Sequence, residues 1–183
     1  MTAIRSRAAP SAGQRRGLLA ATVITAFGTT QLQQIEGFIP ATEFVIFVSD
    51  LFTAALLLSH ARIIGSHRLL VLACGYLFSA LIVVSHALTF PGAFAPFGLL
   101  GAGLQTTPWL FIFWHLGFPA SIIGYACLKD EKRTLPPSTI YWSAALVVLL
   151  ALLLTWIVTV HHDILPPLFV DRRTLTSLGN HVT

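Results

Sequence analysis

"TIYWSAALVVLLALLLTWIVTV", from Thr139 to Val160, decides the fold class. The stretch contains no charged side chain. At a helical rise of about 1.5 Å per residue it is long enough to cross a hydrocarbon layer of about 30 Å. Its centre, "ALVVLLALLL", is uniformly apolar and suggests a face turned to lipid. Working back along the chain, similar runs extend from Pro108 to Leu128, from Leu69 to Leu88 and from Glu43 to Ala61. A weaker run, from Gly17 to about Ile35, is diluted by Thr22, Thr25, Thr29 and Thr30. The expected architecture is all-α: a polytopic membrane helix bundle of about five transmembrane helices.

Composition agrees. The chain is 55% hydrophobic and 10% charged, against about 25% charged in a typical soluble domain. Its net charge of +4 gives no nucleic-acid footprint, because the basic residues sit in short clusters between the apolar runs. Arg5, Arg7, Arg15 and Arg16 precede the first run. Arg62 and Arg68 lie between the second and third, and Lys129, Lys132 and Arg133 between the fourth and fifth. All three clusters fall on one side, and the other side receives Arg172 and Arg173. The positive-inside rule therefore puts the N-terminus in the cytoplasm. Residues 1–16 read as a basic cytoplasmic tail, 17–160 as the membrane-embedded bundle and 161–183 as an extracytoplasmic tail. Gln31, Gln33 and Gln34 follow the first run where a signal peptide would place small residues, so no cleavage is expected.

The external loop from Thr89 to Thr107 is apolar and rich in glycine and proline, and is expected to lie on or fold into the bundle mouth. Cys74 and Cys127 form no C-x-x-C and read as small packing residues. Phosphate-loop, zinc-protease, nucleophile-elbow and dinucleotide-binding signatures are absent from the sequence. No catalytic residue is expected.

Ionisable residues inside apolar spans point to function, because an unpaired charge there is costly. Glu43, Asp50, His86, His115, His161 and His162 all fall in the outer half. Asp50 and His115 lie at similar depth, and His115 is the expected partner of Asp50. The pair reads as a proton- or ligand-sensing site or as a structural hydrogen bond. Pro119 removes the N–H that would bond the His115 carbonyl, so a kink is expected there, with Trp114 lining any cavity it shapes. His86, His115, His161 and His162 are ligand types for a metal, and His86 with His115 for a haem. No cofactor is identified by the spacing.

Longer strings carry a resemblance. "DLFTAALLLSHARIIGSHRLL" (Asp50–Leu70), "LLVLACGYLFSALIVVSHALTFPGAF" (Leu69–Phe94), "GLLGAGLQTTPWLFIFWHLGFP" (Gly98–Pro119) and "IIGYACL" (Ile122–Leu128) resemble the fourth membrane-associated sensor family. Its members are bacterial integral membrane input domains, usually attached to diguanylate cyclases or histidine kinases. Asp50, Tyr76, His86, Phe90, Pro91, Gly92, Trp109, Trp114, His115, Gly117 and Pro119 carry it most strongly. The resemblance implies a multi-pass sensory domain of the bacterial inner membrane with an unassigned stimulus. Implied partners are the lipid bilayer and an output module or other membrane protein, with a homodimer as a further option and no nucleic acid. Five spans leave the chain end outside, and no G-G-D-E-F motif is present, so a truncated or stand-alone sensor is expected. Two other classes stay open: a haem-, metal- or quinone-associated redox subunit, and a small transporter or channel.

Overall fold

The computed structural model describes residues 37–129, 134–161 and 164–168, together with residues 11–13, 17–19 and 22. Four long helices make the bundle: α1 (Phe38–Ile64), α2 (His67–Thr89), α3 (Thr106–Cys127) and α4 (Pro137–Val160). Each is long and apolar enough to cross a membrane. The protein is thus an all-α, polytopic membrane bundle. Residues 1–35 form a separate unit, in which the described stretch at residues 17–19 is helical. Most of the weak first run, His162 and residues 169–183 lie outside the described residues.

The helix of the second run begins earlier than the run read from Glu43. α1 starts at Phe38, five residues before Glu43. Pro40 is tolerated because the first N–H groups of a helix have no intrahelical acceptor. The extra turn carries Glu43 inside the span.

The α1–α2 connection is a two-residue turn. Gly65 adopts a left-handed conformation (φ 74°) and its N–H donates to the Ala61 carbonyl, a helix stop that glycine makes without a Cβ clash. Ser66 is the N-cap of α2, and its hydroxyl accepts from the Leu69 N–H. Arg68 at the same end donates to the Tyr125 carbonyl and lies over the Tyr125 ring, so this turn is tied to α3.

α2 is the central helix. Half of its apolar window is buried, against 11% for each of the other three. It packs on α1, α3 and α4, whereas α1 and α3 do not pack on each other. The core around it contains Phe78, Ile82, Leu110, Ala151 and Val158. Lipid is as apolar as these side chains, so close packing and hydrogen bonding hold the helices together. Small residues let α2 and α3 approach: a Cβ on Gly117 would sit 2.3 Å from the Phe78 ring, and one on Gly75 would overlap Ser121.

The loop after α2 folds back as expected. Leu99 N–H donates to the Leu88 carbonyl, and Gly98 (φ 82°) lies so close to the Thr89 carbonyl that a Cβ would meet it at 2.2 Å. The chain after α4 also stays on the bundle. Leu168 is fully buried, its N–H donates to Gln105 Oε1, and Trp109 donates to the Pro166 carbonyl.

Gly117→Val should lower bundle stability by about 1–3 kcal/mol, the usual cost of overpacking. Gly37→Ala, which enters open space, should leave it nearly unchanged. Thermal melting of the detergent-purified chain measures both.

Candidate functional site

In hydrocarbon a polar side chain must find a partner inside the protein. The described polar residues in the loop-side half do so mainly across helix contacts. On α1 the two acidic residues, Glu43 and Asp50, are seven residues apart. On α2 Ser79 and His86 are also seven apart. Seven residues are two helical turns, so each pair shares a face. The tight turn at Gly65 and Ser66 lays α1 and α2 antiparallel, and residues about equally far from it come level.

Two rungs result. Glu43 Oε1 lies 2.5 Å from His86 Nδ1, with both residues buried. Asp50 Oδ2 accepts from the Ser79 hydroxyl at 2.5 Å, and that hydroxyl accepts from the Trp114 indole N–H at 2.7 Å. The second rung therefore runs from α1 through α2 to α3. The His86 ring is also flanked by Phe90, Phe111 and Trp114, with ring centroids 5.8–6.3 Å away. Glu43 Oε2 is buried and has no hydrogen-bond partner among the described residues.

A layer of hydroxyls closes the same end. Thr106 donates to the Val158 carbonyl at 2.7 Å, and Thr107 to the Thr89 carbonyl at 3.0 Å. Both carbonyls lie in the last turn of their helices, where no intrahelical donor remains. Thr155 on α4 donates to Ser85 on α2 at 2.8 Å.

The expected Asp50–His115 pair does not form. α2 stands between the helices that carry the two residues, and Asp50 bonds Ser79 instead. One residue along a helix turns the side chain by about 100°. Trp114 therefore reaches Ser79 while His115 is exposed on the outer side of α3. There His115 stacks on Phe111 at 3.8 Å and its Nδ1–H donates to the Phe111 carbonyl. Pro119 is exposed too, and α3 continues through it. Of the five residues read as candidates, the structure gathers Asp50, His86 and Trp114 and leaves His115 and Pro119 outside the rungs. Glu43 and Ser79 complete the site. The two seven-residue spacings and the short turn are the sequence signals that point to them.

His161 follows α4 and packs edge-on to Trp156 at 4.7 Å. No three His, Cys, Asp or Glu side chains among the described residues are grouped to hold a metal ion, and His162 lies outside them.

The architecture is that of a membrane-embedded domain whose buried polar groups link three helices. The family model described as MASE4, membrane-associated sensor, integral membrane domain, matches residues 33–179. The chain belongs to this family. It is a multi-pass membrane protein in contact with the lipid bilayer, and a sensor domain by class. No curated protein matches it, nor does any solved structure.

Ser79→Ala removes the shared partner of Asp50 and Trp114, and should destabilise the bundle by about 1–3 kcal/mol. Ser59→Ala is the comparison, because Ser59 bonds only the Ala55 carbonyl of its own helix. It should cost far less in the same melting assay.

Proposed function

We propose that the chain is the signal-input domain of a bacterial inner-membrane sensor, without catalysis of its own, and that protonation of the Glu43–His86 rung is its primary event. The observation that carries this reading is a buried Glu–His pair, with one free carboxylate oxygen, in a family of membrane sensors. Such a pair can hold one proton between its partners and carry a net negative charge, or hold two and be neutral. A unit of charge this deep in a low-dielectric bundle is expensive. Gain or loss of one proton therefore changes how α1 packs on α2. Asp50, Ser79 and Trp114 carry a shift of α1 to α3, and the partners would read the new arrangement.

Among the described residues, the titratable groups toward this end are Asp50 on α1, His115 on α3 and His161 after α4. Tyr76 lies further down α2. Asp50 is the nearest in register, two turns from Glu43 along the same face of α1, and is bonded to Ser79. A small hydrogen-bond donor reaching Glu43 Oε2 would act on the same rung.

In the proposed orientation the N-terminus and the basic turns, with Arg62, Arg68 and Lys129, face the cytoplasm, and the Glu43–His86 end faces out. Residues 1–16 form the cytoplasmic tail, 17–160 the membrane bundle and 161–183 the extracytoplasmic segment. Output passes to a diguanylate cyclase or histidine kinase module, to another membrane protein, or through a second copy.

Infrared difference spectra of the reconstituted chain after an acid jump test the reading. A carboxyl protonation band and a change in tryptophan emission should appear together in the wild type. Both should vanish in Glu43→Gln and persist in His115→Ala. An unaltered band and emission change in Glu43→Gln would remove the rung from the mechanism.

A further inference from the structure

At the end opposite the rungs, the last turns of α1 face the first turns of α4. Between them lies a groove of about 420 Å³, within the range of ligand pockets, roughly 300–1,000 Å³. Leu58 and Ile63 on α1 and Pro137 and Ile140 on α4 form its apolar walls, and Ser59, Arg62 and Tyr141 supply its polar groups. Leu58 and Ile140 also pack on the buried cluster of Ala61, Leu70 and Leu135, so the groove has a packed floor. It opens outward: Ile63 is 81% exposed and Tyr141 71%.

The two arginines beside the α1–α2 turn differ. Arg68 is engaged by Tyr125. Arg62 forms no ion pair among the described residues and lines the groove. Glu43 and Asp50 lie in the other half of the bundle, and by sequence the connections at this end hold Arg62, Arg68, Lys129, Lys132 and Arg133 against Asp130 and Glu131, a net positive balance. Arg62 is in the last turn of a spanning helix, the level at which phospholipid headgroups sit. A guanidinium pairs with a phosphodiester through two parallel N–H donors, and a tyrosine at that level offers a phenolic donor.

We infer that this groove binds an anionic phospholipid of the adjoining leaflet, its phosphate on Arg62 and Tyr141 and an acyl chain between α1 and α4. The lipid is a wedge between two helices that otherwise scarcely touch. It meets α1 at the opposite end from Glu43, so membrane composition acts on the helix that carries both acidic groups.

The test uses the full chain in an uncharged detergent, with dioleoyl phosphatidylglycerol, dioleoyl phosphatidylcholine or inorganic phosphate added. Native mass spectrometry reads retained lipid and melting reads stability. Phosphatidylglycerol should be retained and should raise the melting temperature, while phosphatidylcholine and phosphate should not. Arg62→Gln should weaken phosphatidylglycerol binding roughly fivefold, the equivalent of about 1 kcal/mol per basic residue at an anionic surface. Lys129→Gln should leave it unchanged, and Ile140→Trp should fill the groove and abolish it. Equal retention of both lipids, full binding by Arg62→Gln, or the same shift with phosphate alone would overturn the assignment. So would disulfide crosslinking between copies through Trp142→Cys, an exposed neighbour outside the groove lining, that phosphatidylglycerol fails to suppress, since a second copy would then occupy the groove.

Discussion

The register between α1 and α2 governs the rest of this structure. It is set by a turn of two residues, one glycine in the left-handed region and one serine capping the next helix. A longer connection would let the helices slide. This one fixes which residues come level across the contact, and so it delivers both acidic side chains of α1 to partners on α2. Without those partners the acidic groups would stand in hydrocarbon, where each costs several kcal/mol. Backbone geometry at one end of the bundle thus makes polar residues at the other end tolerable.

The central place of α2 follows from the same need. It carries Ser79, Ser85 and His86, which together meet all three neighbouring helices: Asp50 of α1 and Trp114 of α3 at Ser79, Thr155 of α4 at Ser85 and Glu43 of α1 at His86. Interhelical hydrogen bonds of this kind contribute about 0.6 kcal/mol on average in membranes. Their larger effect is on specificity, because a different packing of the bundle would leave several unmet at once. The hydroxyls of Thr106 and Thr107 serve the helix ends in the same way, by meeting carbonyls that have lost their own donors.

Much of this was legible in the sequence. Hydropathy located the four described spans because each lacks interrupting charge over most of its length, and three of their starts fall within two residues of the observed helices. A start at Glu43 falls five residues late for α1, because a carboxylate marks the edge of an apolar run by hydropathy alone. A buried partner on another helix had made a charge acceptable inside the span. Depth arithmetic put Asp50 and His115 at one level and assigned them to each other, but depth does not specify direction around a helix or which helices are neighbours. Trp114 and His115 are adjacent in sequence and point to different surroundings. The seven-residue repeats, Glu43 to Asp50 and Ser79 to His86, combined with the short turn, hold the information that depth alone lacked.

The two rungs are separated by two helical turns, about 10 Å along the axis. Together they distinguish kinds of motion. A piston stroke of α1 past α2 by even one residue, about 1.5 Å, would strain both rungs equally. A scissor motion hinged at Gly65 would open the outer rung first and spare the inner one for a time. The spacing of the rungs therefore makes α1 and α2 more tolerant of tilting than of sliding, and favours angular over axial displacement between these two helices.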